Sequence, residues 1–363
     1  MNSLVNEALQ RNIEPSSSDL DVVERLKIVI CGAGGGGGNT IRRLHNIGIT
    51  GAQLVACNTD AQDLTKLPDS VTKVLIGAKL TRGLGAGGFP ELGMKSAEAS
   101  RHEISEVLAN TNLMFLTAGM GGGTGTGAAP VIAEIARDMG AIVVAIVTFP
   151  FNLERARLDK AREGIDNLRR VCDTVVIVDN NKLVEYVPNL PIDKAFLVAD
   201  EIVSRAVKGI TDTIMEPSLI NLDFADIKAV LGGGNVSVIS VGDGDGPDRV
   251  EMAVKNTLAH PLMEVDYAGA KGALIHITGG PDMSIGEANK VGELITQELD
   301  PKASVTWGAR INPRLSERLE VMAIVTGVKS PNILGSGGEM RSSNRWGASP
   351  YSRDIEDLGI KGL

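Results

Sequence analysis

Two glycine-rich segments of the sequence have the residue types and spacing of loops that bind phosphate. The first, CGAGGGGGNT, covers residues 31–40, and the second, GGGTGTG, covers residues 121–127. Each follows an apolar stretch typical of a buried strand and precedes a stretch typical of a helix. Backbone N–H groups in such a turn, together with the positive end of the following helix, hold anions. Two such loops predict a polyphosphate tail held from both sides.

The two segments differ in specificity. Gly32, Gly34 and Gly37 fit G-x-G-x-x-G, but a five-glycine run fits many templates, and a flexible turn has the same composition. The second segment sets two threonine hydroxyls among five glycines, and these hydroxyls can add donors. The chain has no G-x-x-x-x-G-K-[ST] loop, because Met94 stands where the closest match needs lysine. Since no lysine follows either loop, a bound metal ion becomes more necessary.

A third segment, NLDFAD, has residues suited to polarising a water molecule. Asn221, Asp223 and Asp226 precede or open a predicted helix, and the two aspartates are three positions apart, so they can share one helix face. Helix capping and dipole complementarity explain the same residues without catalysis. From the residues alone, both interpretations stay open.

These segments need a scaffold of alternating strands and helices, and the sequence predicts one. Near-continuous β-branched strands separated by helices are typical of a parallel sheet covered on both faces. The predicted strands are residues 26–31, 53–58, 71–76, 112–117, 141–148 and 174–179, and the predicted helices lie around 94–110, 128–139 and 155–171. Pro130 then falls in the first turn of the second of these helices, where proline is tolerated. The fold class is therefore α/β, with a Rossmann-like doubly wound domain.

A long helix and a second, smaller α/β unit follow this domain. Residues 192–215 are apolar around much of the helix circumference, which predicts packing on several sides, as between two domains. The second unit has predicted strands near 235–242, 272–278, 303–309 and 319–328, and predicted helices near 247–259 and 284–299.

Composition excludes several classes of function. The formal net charge is −9, so binding of nucleic acid through a basic face is not expected. Three cysteines are too few for a disulfide framework and lack metal-site spacing, which favours a reducing cytoplasm; Cys31 and Cys57 are predicted core residues. We find no signal-peptide pattern and no apolar run near the roughly 18 residues of a membrane span, so direct membrane insertion is not expected.

Several segments, in the same order, resemble the tubulin/FtsZ superfamily. GGGTGTG is the signature loop of that superfamily, and further similarity to FtsZ lies in the first glycine run, NTDAQ (58–62), LTRGLGAGG (80–88) and NLDFADIKAV (221–230). HPLMEVD (260–266), GALIHITGG (272–280) and TGVKSP (326–331) most resemble archaeal FtsZ proteins. The resemblance covers about residues 26–331. It implies a tubulin-like fold, in which a GTPase domain is joined by a long central helix to a smaller α/β domain.

The resemblance also implies a function and a division of the chain. FtsZ-like proteins bind and hydrolyse GTP and polymerise head to tail into filaments of the cytoplasmic division ring at mid-cell. The implied parts are a mobile N-terminal arm (1–24), a nucleotide-binding domain (25–191), a central helix (192–217), a C-terminal polymerisation domain (218–329), and a flexible linker with a tail peptide (330–363).

By the same resemblance, specific residues contact the nucleotide. They are Gly34, Gly35, Gly36, Gly37, Gly38, Asn39, Ala86, Gly87, Gly88, Gly121, Gly122, Gly123, Thr124, Gly125, Thr126, Gly127, Glu154, Arg157, Asn180, Phe196 and Asp200. Asn39 and Asp200 would lie near guanine, because a carboxylate accepts from N1–H and the exocyclic amine together, a donor pair that adenine lacks. By residue type alone, Asp200 is an exposed acid on a helix. Phe196 either stacks on the base or belongs to the core.

Two departures from the family pattern affect these assignments. The stretch from Glu154 to Gly164 is one residue shorter than usual, so Arg155 is an alternative to Arg157. Asp179 stands where the family usually has proline, so the loop around Asn180 is expected to differ in shape.

The resemblance assigns catalysis and partners as well. The segment with Asn221, Asp223 and Asp226 would dock onto the nucleotide of the next subunit, where the two aspartates polarise the attacking water. Mg²⁺ would neutralise the β and γ oxygens. The partners implied are a second copy of the chain and membrane-tethering division proteins. The tail residues Ile355, Leu358, Ile360 and Leu363 would anchor the tethering proteins, unless this end is simply disordered.

Three alternatives remain at this stage. A nicotinamide-dependent oxidoreductase would use Gly32, Gly34 and Gly37 with Asp60 on the ribose. That function leaves GGGTGTG unexplained, and none of the four histidines lies in an obvious proton relay. A filament that binds nucleotide without turnover would not need Asp223 and Asp226. The archaeal tubulin-like shape-determining proteins share the superfamily, but LTRGLGAGG and NLDFAD favour FtsZ.

Overall fold

The computed structural model describes residues 26–182, 191–215, 224–231, 235–258 and 266–328. The predictions for the N-terminal arm, for Asn221 and Asp223, and for the linker and tail lie outside these residues.

Six parallel strands form the first part of the sheet. They are β1 (Ile28–Ala33), β2 (Ala52–Asn58), β3 (Thr72–Leu75), β4 (Leu113–Gly119), β5 (Ile142–Phe149) and β6 (Thr174–Asp179), in the order β3-β2-β1-β4-β5-β6. Every predicted strand of this domain is confirmed. Both faces are buried, since Val29 and Cys31 belong to the core on one face, while Ile28 and Ile30 belong to the core on the other. Cys31 and Cys57 are core residues, as predicted.

Seven helices of this domain are described. They are α1 (Gly34–Ile47), α2 (Ala61–Thr65), α3 (Ala78–Thr81), α4 (Pro90–Ala99), α5 (Arg101–Leu108), α6 (Thr124–Asp138) and α7 (Arg155–Val171). Helices α4 to α7 cover one face of the sheet, and α1 covers the other. The chain is therefore doubly wound, as predicted.

Two helix predictions were wrong in detail. The predicted helix at 94–110 is two helices that meet at Ser100, whose buried hydroxyl accepts from the Gly77 N–H (3.1 Å). The helix predicted from residue 128 begins at Thr124, inside the glycine motif, so Pro130 is its seventh residue rather than part of its first turn. A proline there removes the N–H that would bond the carbonyl of Thr126.

A 24-residue helix, α8 (Ile192–Met215), joins the two units with the bounds that the sequence predicts. The second unit comprises α9 (Phe224–Leu231), β7 (Asn235–Asp245), α10 (Arg249–Leu258), β8 (Gly272–Gly279), α11 (Ile285–Thr296), β9 (Ser304–Ile311), a 3₁₀ turn (Pro313–Leu315) and β10 (Arg318–Thr326). β7 pairs with β6 at its first two residues, so one ten-stranded sheet continues in the order β6-β7-β10-β8-β9.

α8 runs from one edge of the parallel sheet to the other. At about 1.5 Å per residue it is roughly 36 Å long. Asp200, in its first half, faces Arg42 and Arg43 of α1. Its last residue, Met215, packs on Gly51, directly before β2 begins. The helix therefore links the carboxyl edge of the sheet, where the strands end, to the amino edge. None of the described helices is long and apolar enough to cross a membrane.

Candidate functional site

The first glycine segment forms the amino end of α1. β1 ends at Ala33 and the helix begins at Gly34, so the run lies in the first turns of the helix and not in a loop before it. The N-cap residue, Ala33, has no side chain that could cap this end, and the first turn has no acidic residue. The first N–H groups of a helix lack partners inside the helix. The uncapped end, with its partial positive charge, can therefore take an anion.

The glycines of this segment have two roles. A Cβ on Gly37 would lie 2.5 Å from the Thr117 carbonyl oxygen, and one on Gly36 would lie 3.0 Å from the Gly119 nitrogen, so these two allow α1 to pack on β4. Gly34 has a φ of +71° and approaches Gly125 of the second segment. Gly38 has open space where a side chain would project. Packing therefore explains part of the run, and ligand access explains the rest.

The second glycine segment follows β4 and lies beside the first. β1 and β4 are neighbours in register, with Ala33 opposite Ala118, so both segments lie at the carboxyl edge of the sheet. A crevice at this edge is where open α/β sheets bind ligands. Gly121 (φ +92°) is buried in the turn before α6, whereas Gly122 is half-buried and has open space where a side chain would project.

The two threonines of the motif are engaged within the protein. Thr126 Oγ1 accepts from the Gly121 N–H (2.8 Å), and Thr124 Oγ1 is 2.6 Å from Thr59 Oγ1. Gly127 donates its N–H to the Gly123 carbonyl (3.0 Å), and a Cβ there would strike the Pro90 carbonyl of α4. The hydroxyls thus hold the turn in shape, and Gly127 lets two helices approach closely. Free donors for a ligand lie earlier in the motif.

Residues 82–89 form a third glycine-rich wall of the crevice. Arg82, Gly83, Gly85, Gly87 and Gly88 all have positive φ, which accounts for the glycine content of this segment. A Cβ on Gly123 would lie 2.8 Å from Ala86 Cβ, so the segment packs directly on the second motif. Ala86, Gly87 and Gly88 therefore lie beside the second glycine motif, where the resemblance places them at the nucleotide.

Cations that the sequence analysis missed lie beside the first segment. Arg42 and Lys66 line a small cavity of about 80 Å³ together with Gly34, Gly35, Gly38 and Asn39. Lys66 Nζ bonds Asp63 Oδ1 (2.7 Å), and Asp63 Oδ2 faces Gly35. A phosphate-loop motif has its lysine directly after the glycines, whereas here folding brings Lys66 in from the end of α2. A larger cavity of about 870 Å³ lies between α4, α6 and α7, behind the glycine segments.

Asp60 caps the amino end of helix α2. Its Oδ1 accepts from the N–H groups of Gln62 (2.8 Å) and Asp63 (3.2 Å) as the N-cap of α2. The dehydrogenase alternative needed this carboxylate for a ribose, and helix capping already accounts for it.

A charged cluster joins α1 to α8 on the side of the crevice where the resemblance places the base. Arg43 is ion-paired with Glu201, and Arg42 Nη2 donates to Asn39 Oδ1 (3.1 Å). Burial raises the pKa of the neighbouring Asp200 to about 6, against the opposing effect of Arg42 and Arg43. Asp200 is therefore a half-buried carboxylate beside Asn39's helix. The backbone of Phe196 belongs to α8, but its side chain lies outside what the structure describes.

Asn180 supplies an unsatisfied acceptor at the end of β6. It is 5% exposed, and its Oδ1 has no hydrogen-bond partner among the residues that the structure describes. A buried acceptor without a partner costs about 1–3 kcal/mol, so this atom is a candidate to accept from a bound ligand or water. The preceding Asp179 accepts from the Asn181 N–H (2.9 Å) and side-chain amide (2.7 Å), which shows how the chain turns here without the usual proline.

The structure favours Arg157 over Arg155 as a neighbour of the phosphate segments. Arg157 Nη1 donates to Glu154 Oε2 (2.6 Å), and Glu154 Oε1 accepts from the Phe151 N–H (3.1 Å) at the start of α7. A Cβ on Gly121 would lie 2.7 Å from Arg157 Cβ, so this residue packs on the second motif. Both arginines are exposed, so only this contact with Gly121 distinguishes Arg157 from Arg155, which lies at the first position of the helix.

Asp226 lies far from the glycine segments of its own chain. It occupies the first turn of α9, and the carbonyl of Leu231 at the end of α9 accepts from Thr174 Oγ1 (3.1 Å) at the start of β6. The six residues of β6 span about 20 Å to the opposite edge. Asp226 precedes Leu231 by five helical residues, which shortens the gap by at most about 8 Å. Among the described residues, no three His, Cys, Asp or Glu side chains form a metal cluster.

Models of known protein families match both units of the chain. The model of the tubulin/FtsZ family GTPase domain matches residues 27–188, and that of the FtsZ family C-terminal domain matches residues 235–329. Cell division protein FtsZ 2 of Methanocaldococcus jannaschii is 58% identical over 335 residues, covering 92% of this chain and 88% of the relative. The FtsZ 2 protein of Halobacterium salinarum is 50% identical, covering 92% and 84%.

Solved structures show the same similarity. An empty FtsZ dimer from M. jannaschii superposes with a TM-score of 0.79 at 41% identity, covering 93% of this chain and 99% of that one. A GTPγS-bound protofilament of CetZ2 from Haloferax volcanii has a TM-score of 0.72 at 24% identity, covering 85% and 95%. At 24% identity, the similarity to CetZ2 shows a shared fold alone.

Proposed function

The chain belongs to the tubulin/FtsZ family and carries its GTPase domain, and from that premise we propose that it assembles head to tail and hydrolyses GTP at the contact between subunits. It is an FtsZ-family cell division protein, which excludes the oxidoreductase alternative. What we propose beyond this is the polymer, the residues that act in it, and its place in the division ring at mid-cell.

One observation carries the proposal: the candidate catalytic acid and the phosphate segments lie at opposite edges of one sheet. The glycine segments follow β1 and β4 at the carboxyl edge. Asp226 lies on α9, which is tied to the amino edge through Thr174. A single subunit therefore cannot bring this carboxylate to its own nucleotide. A second subunit stacked in the same orientation can supply it.

The nucleotide would span three groups of residues. Its phosphates would accept from backbone N–H groups of Gly34 to Gly38, of residues 122–125, and of Ala86 to Gly88, while the Gly121 N–H stays bonded to Thr126 Oγ1. Asp200 and Asn39 would bind the guanine edge, and Asn180 Oδ1 would accept a donor of the base or ribose. The uncapped end of α1 and the orphan acceptor of Asn180 support this placement.

Hydrolysis would then depend on positioning and on charge. The neighbour's Asp223 and Asp226, with Asn221, would orient and polarise a water toward the γ-phosphate. Mg²⁺ supplies charge neutralisation at the β and γ oxygens. Because Mg²⁺ is usually held by phosphates, water and one or two carboxylates, the lack of a three-residue cluster among the described residues is compatible with it. Asp63, whose Oδ2 faces Gly35, is a carboxylate beside the first segment.

A head-to-tail contact that does not close into a ring generates a filament. Each added subunit completes the site of the one before it, and hydrolysis would weaken that contact.

The tail residues Ile355, Leu358, Ile360 and Leu363 would recruit the proteins that tether filaments to the membrane. Deletion of residues 351–363 should abolish pull-down of such partners without changing GTP hydrolysis, and unchanged pull-down would contradict the tail's role.

Mixing two inactive variants tests the shared site. Asp226→Asn removes the acid, and Gly38→Asp places a negative charge where phosphate should bind. Each variant alone should hydrolyse little GTP, whereas a mixture should regain activity, because the Gly38→Asp subunit offers an intact Asp226 to the GTP of its neighbour. A mixture as inactive as its components would contradict hydrolysis between subunits.

The pKa of Asp200 predicts how nucleotide affinity depends on pH. Burial raises this pKa to about 6, and only the ionised carboxylate accepts both guanine donors. Affinity for GDP should therefore be constant above pH 7 and fall by up to about tenfold per pH unit below 6. Titrations of GDP binding from pH 8 to pH 5 measure this. Asp200→Asn is the control for titration of the phosphates, and the same fall in that variant would rule out Asp200 as its cause.

A further inference from the structure

One face of helix α7 contacts the second glycine motif and the wall formed by residues 82–89. A Cβ on Gly121 would lie 2.7 Å from Arg157 Cβ, and one on Gly164 would lie 2.5 Å from Thr126 Cγ2. Between them, Lys160 Nζ donates to the Gly88 carbonyl oxygen (2.9 Å). Residues 157, 160 and 164 follow the i, i+3, i+7 spacing of a single helix face. This face contacts both the second motif and the wall formed by residues 82–89.

The wall is held at both ends: Phe89 donates its N–H to the Ala86 carbonyl (3.0 Å) near its end, and other backbone bonds hold its first half. Gly85 donates its N–H to the Thr59 carbonyl (3.1 Å), and Ala61 donates to Gly83 (3.0 Å), which ties residues 83–85 to the end of β2. Further along, Gly87 and Gly88 have left-handed φ values of +58° and +79°. Glycines sample many conformations, so holding them in one requires contacts from elsewhere.

Lys160 supplies such contacts to the second half. Besides its bond to Gly88, its ammonium lies 5.8 Å from the ring centroid of Phe89, within the range of a cation–π interaction. Phe89 is 65% exposed, so its ring has few other neighbours to fix it. Lys160 therefore adds two side-chain contacts to the end of the wall, one to the Gly88 carbonyl and one to the Phe89 ring.

We propose that Lys160 is a positioning residue, which holds residues 86–89 so that their backbone faces the distal phosphate of the nucleotide. This inference rests on the proposed function. The base-binding candidate Asp200 is on α8, which packs with α1 on one face of the sheet, whereas α4 and α7 cover the other face. A nucleotide with its base at Asp200 and its phosphates on the glycine segments points its last phosphate toward this wall.

The difference between GTP and GDP affinity distinguishes a positioning role of Lys160 from a purely structural one. If Lys160 only stabilised the fold, its loss would weaken GTP and GDP binding equally. If it positions the wall, GTP should lose more, because only GTP carries the phosphate that reaches it. Lys160→Met removes the charged donor but keeps an unbranched chain, and Lys160→Arg keeps a donor. Arg162→Met is the matched control, since Arg162 is exposed on the same helix and pairs with Asp159 (2.9 Å).

The experiment measures GTP and GDP affinity and melting temperature for the full chain and these variants. Lys160→Met should weaken GTP binding by about tenfold more than GDP binding, as expected for loss of a charge-assisted hydrogen bond. Lys160→Arg should recover most of the loss, and Arg162→Met should match the parent protein. An equal effect on both nucleotides, or no effect in a stably folded variant, would overturn the proposal.

Hydrogen exchange without nucleotide separates this inference from the proposed function. Amides of residues 86–89 should exchange faster in Lys160→Met than in Lys160→Arg, while the core strands exchange alike. Equal exchange in this segment would overturn the positioning role even if the protein binds GTP. If the parent protein bound neither nucleotide, the proposed function would fail, whatever the exchange data show about Lys160.

Discussion

Asp226→Asn should lower GTP hydrolysis at least about 100-fold while changing GTP affinity less than twofold. The loss follows from removing a carboxylate that polarises the attacking water, for which effects of about 10² to 10⁴ are usual. Affinity is preserved because α9 is tied to the edge of the sheet opposite the glycine segments. The measurements are phosphate release with Mg²⁺ and equilibrium binding of GTP. Filaments should still form and should last longer, since hydrolysis no longer weakens the contact.

The choice of asparagine separates chemistry from folding. Asp226 lies in the first turn of α9, where a negative charge also favours the helix by a few tenths of a kcal/mol to about 1 kcal/mol. Asparagine keeps the shape of the side chain. Glu298→Gln, which neutralises an exposed acid of the second unit, is the matched control and should leave hydrolysis unchanged. Lost GTP binding in Asp226→Asn would contradict the assignment.

Gly38→Asp should weaken GTP binding by about 100-fold without unfolding the protein. Gly38 lies in α1 and lines the small cavity with Asn39 and Arg42, and a Cβ added to it would have no neighbour within 4 Å among the described residues. Two negative charges about 5 Å apart repel by roughly 3 kcal/mol at an effective dielectric constant of about 20. Near the amino end of a helix the new carboxylate favours the fold, so the empty protein should melt no lower than its parent.

Gly38→Ala tests whether charge, rather than bulk, causes that loss. Alanine has room at this position and stabilises a helix relative to glycine by up to about 1 kcal/mol. We expect it to bind GTP nearly as well as the parent protein and to melt at a slightly higher temperature. Equal loss of binding in Gly38→Ala and Gly38→Asp would mean that the uncapped end of α1 does not hold phosphate through space left open at residue 38.

The scaffold was predictable because its determinants are local in the sequence. Strands buried on both faces are short, continuous apolar runs, and α7 and α8 show unbroken helical periodicity. The bounds of α8 agree with the prediction at both ends. The break at Ser100 was not predictable, because the helical pattern continues through it and the Ser100 side chain contacts Gly77, which lies 23 residues away in the sequence.

The sequence predicted the type of site, but not which glycines pack against the protein and which are open to a ligand. Glycine runs after strands indicate phosphate loops, yet their spacing does not tell packing glycines such as Gly37 and Gly127 from those open to a ligand. That distinction depends on neighbours from β4 and α4. Pro130 matches a first-turn position only if the helix begins after the glycines, and the helix instead begins within them.

The residues that sequence reasoning missed reach the site from distant segments. Lys160 is 72 residues from Gly88, and Lys66 follows the glycines of the first segment only after a strand and another helix. No sequence motif therefore links either lysine to the segment it approaches. A lysine three residues after Arg157 on the same helix face is the one signal that was available. The sequence also does not show that Asp226 and the glycine segments lie at opposite edges of the sheet. That placement depends on the direction of the strands and on the contact between α9 and the start of β6.

The central claim is that two subunits complete one hydrolytic site, and GTP hydrolysis per subunit as a function of protein concentration tests it most directly. The assay uses Mg²⁺, with ATP as the control nucleotide. We expect a GTP-specific rate that is negligible in dilute protein and climbs above a threshold concentration, because Asp226 reaches only a neighbour's nucleotide. A rate per subunit that stays constant from dilute to concentrated protein would show that each subunit hydrolyses GTP alone, and the claim would fail.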